Sequence, residues 1–389
     1  MKKLTALAAS ALMAMALPPI ACAASAPAYI DTAANHLTYY DGSLDKVRGA
    51  LDALSAGSDT VVRVLHIGDS HIQAEMVTNE LRRLLQERYG NAGRGLVAPL
   101  RLAGTNQSHD YTMTLSPADS AAVLRQTRLL KYPWPVTPGV TGIAILPEGG
   151  EEVTVVAETK ASPDHVATRA TALTSRGAIA IDSCTDGSAR THYKLAPGEA
   201  FYGMILENGR KGLLYSAIGN NGACFTDYSL IPSFAKTTAV FRPNLIILSM
   251  GTNEGFSIMS DEEISRSVKG LVRSLRAYNP DADFLILTPM ECQKNRRHGK
   301  KPLSPYFDVN KRVAEARELI LEAAREEKVP VWDFYEVAGG AGASSRWLDD
   351  GLMNKDRIHL LRPGYELQAQ LLFNALTEAF DTKTFRTNP

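Results

Sequence analysis

Four short segments of this 389-residue chain carry side chains that could together run acyl chemistry. The first is Gly68-Asp69-Ser70-His71, between an apolar run and a helical period. A serine at a strand-to-helix turn has an exposed hydroxyl, and its backbone N–H lies near a helix start, where it can face a developing oxyanion. Asp69 and Ser70 would equally serve as helix caps. The second segment, Ile218-Gly219-Asn220-Asn221-Gly222-Ala223, is a glycine-interrupted turn in which a backbone N–H can approach a ligand without a Cβ in the way. The third, Gly251-Thr252-Asn253-Glu254, offers an asparagine amide either to a substrate oxygen or to a loop. The fourth is Asp356-Arg357-Ile358-His359. Its histidine can take a serine proton and return it to a leaving group, provided a carboxylate fixes its tautomer, and a turn lets Asp356 reach that ring. Each segment has an ordinary structural explanation alone. Together they supply a nucleophile (Ser70), a base (His359), its orienter (Asp356) and three oxyanion donors: the Ser70 N–H, the Gly222 N–H and the Asn253 side chain.

The elements that must position these residues read as α/β. Val61, Val62, Val64, Leu65 and Ile67 form an apolar strand, and Val77, Leu81, Leu84 and Leu85 then recur at helical spacing. Further apolar strands fall at Leu245 to Met250, Phe284 to Leu287 and Val329 to Trp332. Val309, Val313, Ala316, Ile320 and Ala323 share one face of what reads as the longest of the helices between these strands, and a final helix opens at Pro363. Apolar strands alternating with helices indicate a mostly parallel sheet covered on both faces, with ligands bound beyond the carboxyl ends of its strands. Between about Leu100 and Tyr215 the helical period is lost to prolines, threonines, glycines and short alternating runs. The expected organisation is one α/β domain, residues 25–98 and 213–389, interrupted by a β-rich module at 99–212.

Hydrophobic residues make up 45% and charged residues 22%, ordinary for a globular chain, and 42 basic residues balance 42 acidic ones, which argues against a broad nucleic-acid-binding surface. Residues 1–24 read as a secretory signal peptide: Lys2 and Lys3, an apolar run from Leu4 to Leu17, then small residues. Pro19, Ile20 and Ala21 match a lipoprotein site at Cys22 poorly, and no later apolar run is long enough to span a bilayer. The expected product is exported, with no stable membrane insertion. Cys184, Cys224 and Cys292 would remain, an odd number that leaves at least one thiol unpaired. Zinc spacings such as C-x-x-C are absent, and no cofactor is implied.

The Ser70, Gly222, Asn253 and His359 blocks, with Asp356 three residues before the histidine, resemble the SGNH or GDSL hydrolase superfamily. The resemblance covers roughly residues 60–98 and 212–382. It implies a flavodoxin-like three-layer α/β/α fold and a metal-independent serine esterase. His71 departs from it, standing where many members have leucine. The signal peptide, the Gly-Asp-Ser-His form, Ile72-Gln73-Ala74, Asn91-Ala92-Gly93-Arg94-Gly95 and the β-rich insertion look like the periplasmic peptidoglycan O-acetylesterases, whose inserted module is a carbohydrate-binding-like β-sandwich. That likeness implies removal of the O-acetyl group from C6 of N-acetylmuramic acid.

Other readings stay open at the level of sequence. The same apparatus could act on another polysaccharide such as xylan, or transfer the acyl group to a sugar hydroxyl. Asp69, His71, Asp356 and His359 could instead be metal ligands of a phosphoesterase, a reading that leaves Ser70, Gly222 and Asn253 without a role. In a non-catalytic glycan binder, Tyr132, Trp134, Tyr193, Phe201 and Tyr202 would form a sugar platform or else the module's core. Oligomeric state and cysteine pairing are not legible.

Overall fold

The computed structural model describes residues 26–118, 124–148, 152–160, 166–181, 189–298 and 301–382, with the side chains of 297–305 excepted. Residues 1–24, read above as a signal peptide and including Cys22, and Cys184 lie outside the described residues.

The central sheet has six strands: β1 (Leu37–Thr38), β2 (Val61–Gly68), β3 (Gly212–Gly219), β4 (Leu245–Ser249), β5 (Asp283–Leu287) and β6 (Val331–Trp332). Their order is β1-β6-β5-β4-β2-β3, parallel throughout except where β1 runs antiparallel to β6. Leaving out β1, the chain order across the sheet is 2-1-3-4-5, the flavodoxin-like winding. Five helices cover the sheet: α1 (Asp45–Ser55), α2 (Met76–Tyr89), α3 (Asp261–Tyr278), α4 (Lys311–Glu326) and α5 (Arg362–Asp381).

The period-two pleat divides the apolar strands between two cores. Leu245, Ile247 and Leu285 face α1, α2 and α5, where Leu51, Leu81 and Leu372 are buried. Ile246, Leu248 and Ile286 face α3 and α4, where Val272 and Ile320 are buried. Strands with both faces buried have no polar side to alternate with, so they read as unbroken apolar runs.

The inserted region is antiparallel. Tyr111–Ser116, Val153–Thr159 and Arg190–Leu195 form one three-stranded sheet. Leu124–Arg128, Ile143–Pro147, Phe201–Glu207, Arg169–Thr174 and Gly177–Ile181 form a second. Alternate residues such as Met113, Val155, Tyr193, Ala172 and Met204 close a separate core between them. Gly95–Val97, read from sequence as part of the α/β portion, hydrogen-bonds to Phe201–Glu207 and so joins the second sheet.

Two sequence readings need correction. Val309 ends a hairpin strand, Lys301–Val309, paired with Gln293–His298, and is 41% exposed, so it does not share the face of α4. Of the helices between the strands the longest is α3 at 18 residues, not α4 at 16. The apolar run alone could not separate the end of a strand from the start of a helix, because Asn310 between them is buried and donates its side chain to Gly255 O.

A buried ion network ties the module to the α/β core. Arg94, fully buried, donates to Glu75 Oε2 at 2.8 Å and to Asp110 Oδ1 at 2.9 Å. Arg82 reaches Asp110 Oδ2 at 2.7 Å and Glu75 Oε2 at 3.3 Å. Glu75 sits left-handed at φ 55° just before α2, while Asp110 immediately precedes the module strand Tyr111–Ser116. Removing one member of such a network leaves an uncompensated buried charge. Arg94→Met should therefore lower unfolding free energy by about 3–5 kcal/mol in denaturant titration. A loss under about 1 kcal/mol would mean that this cluster is not the joint.

Candidate active site

The register of the sheet explains why distant segments meet. Gly68 at the end of β2 pairs with Gly219 at the end of β3 and with Ser249 at the end of β4. Three strand ends thus lie level. Ser70, Gly222 and Asn253 follow those ends by two, three and four residues, at the switch point where the winding reverses direction.

Each turn has a local cause. Asp69 caps the single helical turn Ser70–Gln73, its Oδ1 accepting from His71 N at 2.9 Å, so the capping and catalytic readings of this segment coexist. Gly219 allows that turn to sit on β3, since a Cβ there would lie 2.2 Å from Gln73 N. Gly222 has φ +84°, a conformation that favours glycine. His359 arrives on the loop before α5, held by Asn354 N donating to His359 O at 2.8 Å and Leu361 N donating to Leu352 O at 2.8 Å.

The predicted side chains converge on one cleft of about 530 Å³, lined by Ser70, Gly222, Asn253 and His359 among others. Ser70 Oγ lies 2.7 Å from His359 Nε2, and His359 Nδ1 lies 2.7 Å from Asp356 Oδ2. An ionised carboxylate only accepts, so Nδ1 carries the proton and Nε2 is left to accept from the serine hydroxyl. Burial works to raise the Asp356 carboxyl, but hydrogen bonds from the His359 ring and from the Ile358 and His359 N–H groups outweigh it and hold the carboxyl below its ordinary range.

The oxyanion candidates differ in readiness. Neither the Ser70 N–H nor the Gly222 N–H has a partner among the described residues. Asn253 lines the cleft, but its Nδ2 donates to Asp69 Oδ2 at 3.2 Å and to Ala223 O at 3.1 Å, so a substrate oxygen must share or displace one of these bonds.

His71 also lines the cleft, with its Nδ1 3.0 Å from the Tyr365 hydroxyl and its ring centroid 5.1 Å from that of His359. Burial, assisted by the neighbouring His359 charge, pushes its pKa down to about 3, so it is a neutral packing partner. Asp69 faces Asn253 and the His71 N–H, and among the described residues no group of three or more His, Cys, Asp or Glu side chains could hold a metal ion. Cys224 and Cys292 are buried free thiols with burial pushing both pKa values up, unsuited to nucleophilic attack. Of the module's aromatics, Phe201 and Tyr193 are core, whereas Tyr132 is 81% exposed.

Two residues have roles that the sequence reading did not assign. Glu254 is fully buried and accepts the Phe225 N–H at 2.7 Å, anchoring the segment that follows Gly222. Gln73 accepts the Asn221 N–H at 2.8 Å, one residue before Gly222. A polar residue directly beside a motif residue was the available signal in both cases.

Residues 182–367 match the GDSL-like lipase/acylhydrolase family model, a span that omits the Ser70 segment lying beyond the insertion. The fold is similar to that of a solved structure titled as a peptidoglycan O-acetylesterase in action, at 23% identity and a TM-score of 0.69, covering 89% of this chain and 99% of that one. A lipase/acylhydrolase from Enterococcus faecalis is 16% identical, covering 43% of this chain and 77% of its own, with a TM-score of 0.33. An acetyl xylan esterase is 15% identical, covering 42% and 81%, with a TM-score of 0.33. No curated protein matches the sequence. Over residues 182–367 the chain is thus similar to the GDSL-like lipase/acylhydrolase family, and its α/β fold is that of the peptidoglycan O-acetylesterase structure. A β-rich module is added to that α/β fold.

The buried acids give the site a pH signature. Desolvation raises Glu254 to about 7, only partly opposed by its bond from Phe225 N–H. Between the ordinary value of 4.5 and about 7 the folded chain therefore holds a proton that the unfolded chain has lost, so raising pH through this window removes stability. Glu254→Gln should gain stability relative to wild type at about pH 8 more than at about pH 5, read as the difference in Tm at each pH. An equal difference at both values would place the Glu254 pKa outside this window.

Proposed function

We propose that this chain is an exported O-acetylesterase that removes acetyl groups from a cell-wall glycan, with the C6 O-acetyl of N-acetylmuramic acid in peptidoglycan as its substrate, by a Ser-His-Asp acyl-enzyme mechanism. The observation that carries the reading is the continuous hydrogen-bonded relay from Asp356 through His359 to Ser70 Oγ, opening on a cleft. The glycan assignment draws support from the likeness in fold to the peptidoglycan O-acetylesterase structure over 89% of this chain. Export draws support from the apolar leader.

In this mechanism His359 takes the Ser70 proton as Oγ attacks the acetyl carbonyl, and the charge of the resulting imidazolium is balanced by Asp356. The Ser70 and Gly222 N–H groups donate to the tetrahedral oxyanion, joined by Asn253 as its bond to Ala223 O yields. The proton then passes from His359 to the departing sugar oxygen. Water, deprotonated by the same ring, hydrolyses the acetyl-serine, and acetate leaves. A sugar hydroxyl taking the place of that water would make the outcome transfer, with acetylated glycan as product instead of free acetate.

Acetate release from O-acetylated peptidoglycan, with acetylated xylan beside it, tests the assignment. Wild type should favour peptidoglycan and Ser70→Ala should lose nearly all turnover while melting like wild type; retained turnover would remove Ser70 as nucleophile. Asn253→Ala should lower kcat by about 10²–10³ if the amide reaches the oxyanion. A loss of less than about tenfold would leave the two backbone donors as the hole.

A further inference from the structure

Beyond the relay, the cleft has a lip built from three separate parts of the chain. Gln73 ends the Ser70 turn, Asn221 precedes Gly222, and Thr105 and Asn106 belong to the inserted module. Their hydrogen bonds fix one another's orientation. The backbone Asn221 N–H donates to Gln73 Oε1 at 2.8 Å, which decides which way the Gln73 amide faces. Gln73 Nε2 consequently donates to Thr105 Oγ1 at 2.8 Å and to Asn106 Oδ1 at 2.9 Å. Asn221 Nδ2 donates to the same Asn106 Oδ1 at 2.8 Å. With two amide donors holding its oxygen, the Asn106 side chain has its Nδ2 left over, and that group has no partner among the described residues. Asn106 is exposed and lines the cleft that contains Ser70 and His359.

We propose that Asn106, supplied by the inserted module, is a specificity-determining residue that donates its Nδ2 hydrogens to a neutral oxygen of the sugar carrying the ester, and that Gln73 is the residue positioning it. The ligand chemistry is that of a sugar hydroxyl or an acetamido carbonyl, both neutral acceptors within reach of a primary amide. An oriented amide donor is useful here because its geometry is set before substrate arrives, so little freedom is lost on binding. The module's second approach to the cleft, Leu130 lying 3.2 Å from where a Gly222 Cβ would be, places more of it against the same rim. The inference rests on the glycan-esterase reading above.

The test compares kcat/KM on a sugar-free aryl acetate with kcat/KM on whichever acetylated glycan wild type hydrolyses best. Asn106→Ala should lower the glycan-to-aryl ratio about five- to tenfold, the range of one neutral hydrogen bond. Asn106→Asp should lower it similarly, because its carboxylate still accepts from Gln73 and Asn221 but donates nothing. Gln73→Ala should shift the ratio the same way through a raised KM on glycan, with Asn106 no longer held. An unchanged ratio in Asn106→Asp, whether both activities fall together or neither falls, would overturn the proposal, since Asn106 would then be scaffold or bystander. Wild type that cleaves the aryl acetate but no glycan would overturn the substrate reading and this inference together, a result distinguishable from an unchanged ratio.

Discussion

The candidate active site depends on one hydrogen bond, 2.7 Å long, between a serine hydroxyl and an imidazole nitrogen 289 positions apart in the chain. Such a bond forms only if two loops are each held against something stiffer than themselves. On the Ser70 side the stiff element is the parallel sheet, whose register brings Gly68, Gly219 and Ser249 level. On the His359 side it is a short bridge between Met353 and Leu360, together with Arg357, which donates to Gln293 Oε1 at 2.7 Å and accepts the Gln293 N–H at its own carbonyl. Arg357 adopts φ 59° there, a left-handed turn that lets Asp356 fold back under the histidine ring.

Around this bond the electrostatics are sorted by burial. Asp356, half exposed and held by three hydrogen bonds, stays ionised beside His359. Asp69 and Glu254 lie inside, where desolvation lifts both toward about 7, and His71 and His66 are kept neutral by the same effect. The histidine bonded to Ser70 is the one nearer solvent, whereas His66 is enclosed. His66 is a packing group of the same kind, with Nδ1 2.6 Å from the Tyr215 hydroxyl.

The module enters this arrangement as a wall of the cleft as well as an attached sandwich. Its core is its own, since alternating residues of two antiparallel sheets close on each other. Its junction with the α/β part is ionic, through Arg94, Glu75, Asp110 and Arg82, and its Asn106 loop is tied by amide hydrogen bonds to the turn bearing Ser70. A polar junction of this kind holds two bodies in one orientation, because buried charges and amides are satisfied in few geometries.

Much of this was legible in the chain. Unbroken apolar runs marked strands buried on both faces, alternating runs marked the module, and the residues with chemistry lay at predicted turns beyond a strand or flanking a helix. Those signals are local: periodicity and residue type act over a few positions and survive without knowledge of the rest. The hairpin Gln293–Val309 was missed, and Val309 misassigned, because a short run can satisfy strand and helix periods at once. Tyr132 and Phe201 could not be separated as surface and core, since both are aromatic and only packing distinguishes them. What tertiary structure alone decided was proximity between strangers in sequence. Asn253 finds its amide occupied by Asp69 and Ala223, Gln73 meets Asn106, and Glu254 ends in the dark against Phe225. Residue types state what a group can donate or accept; which partner stands within 3 Å is set by the closing of the whole sheet.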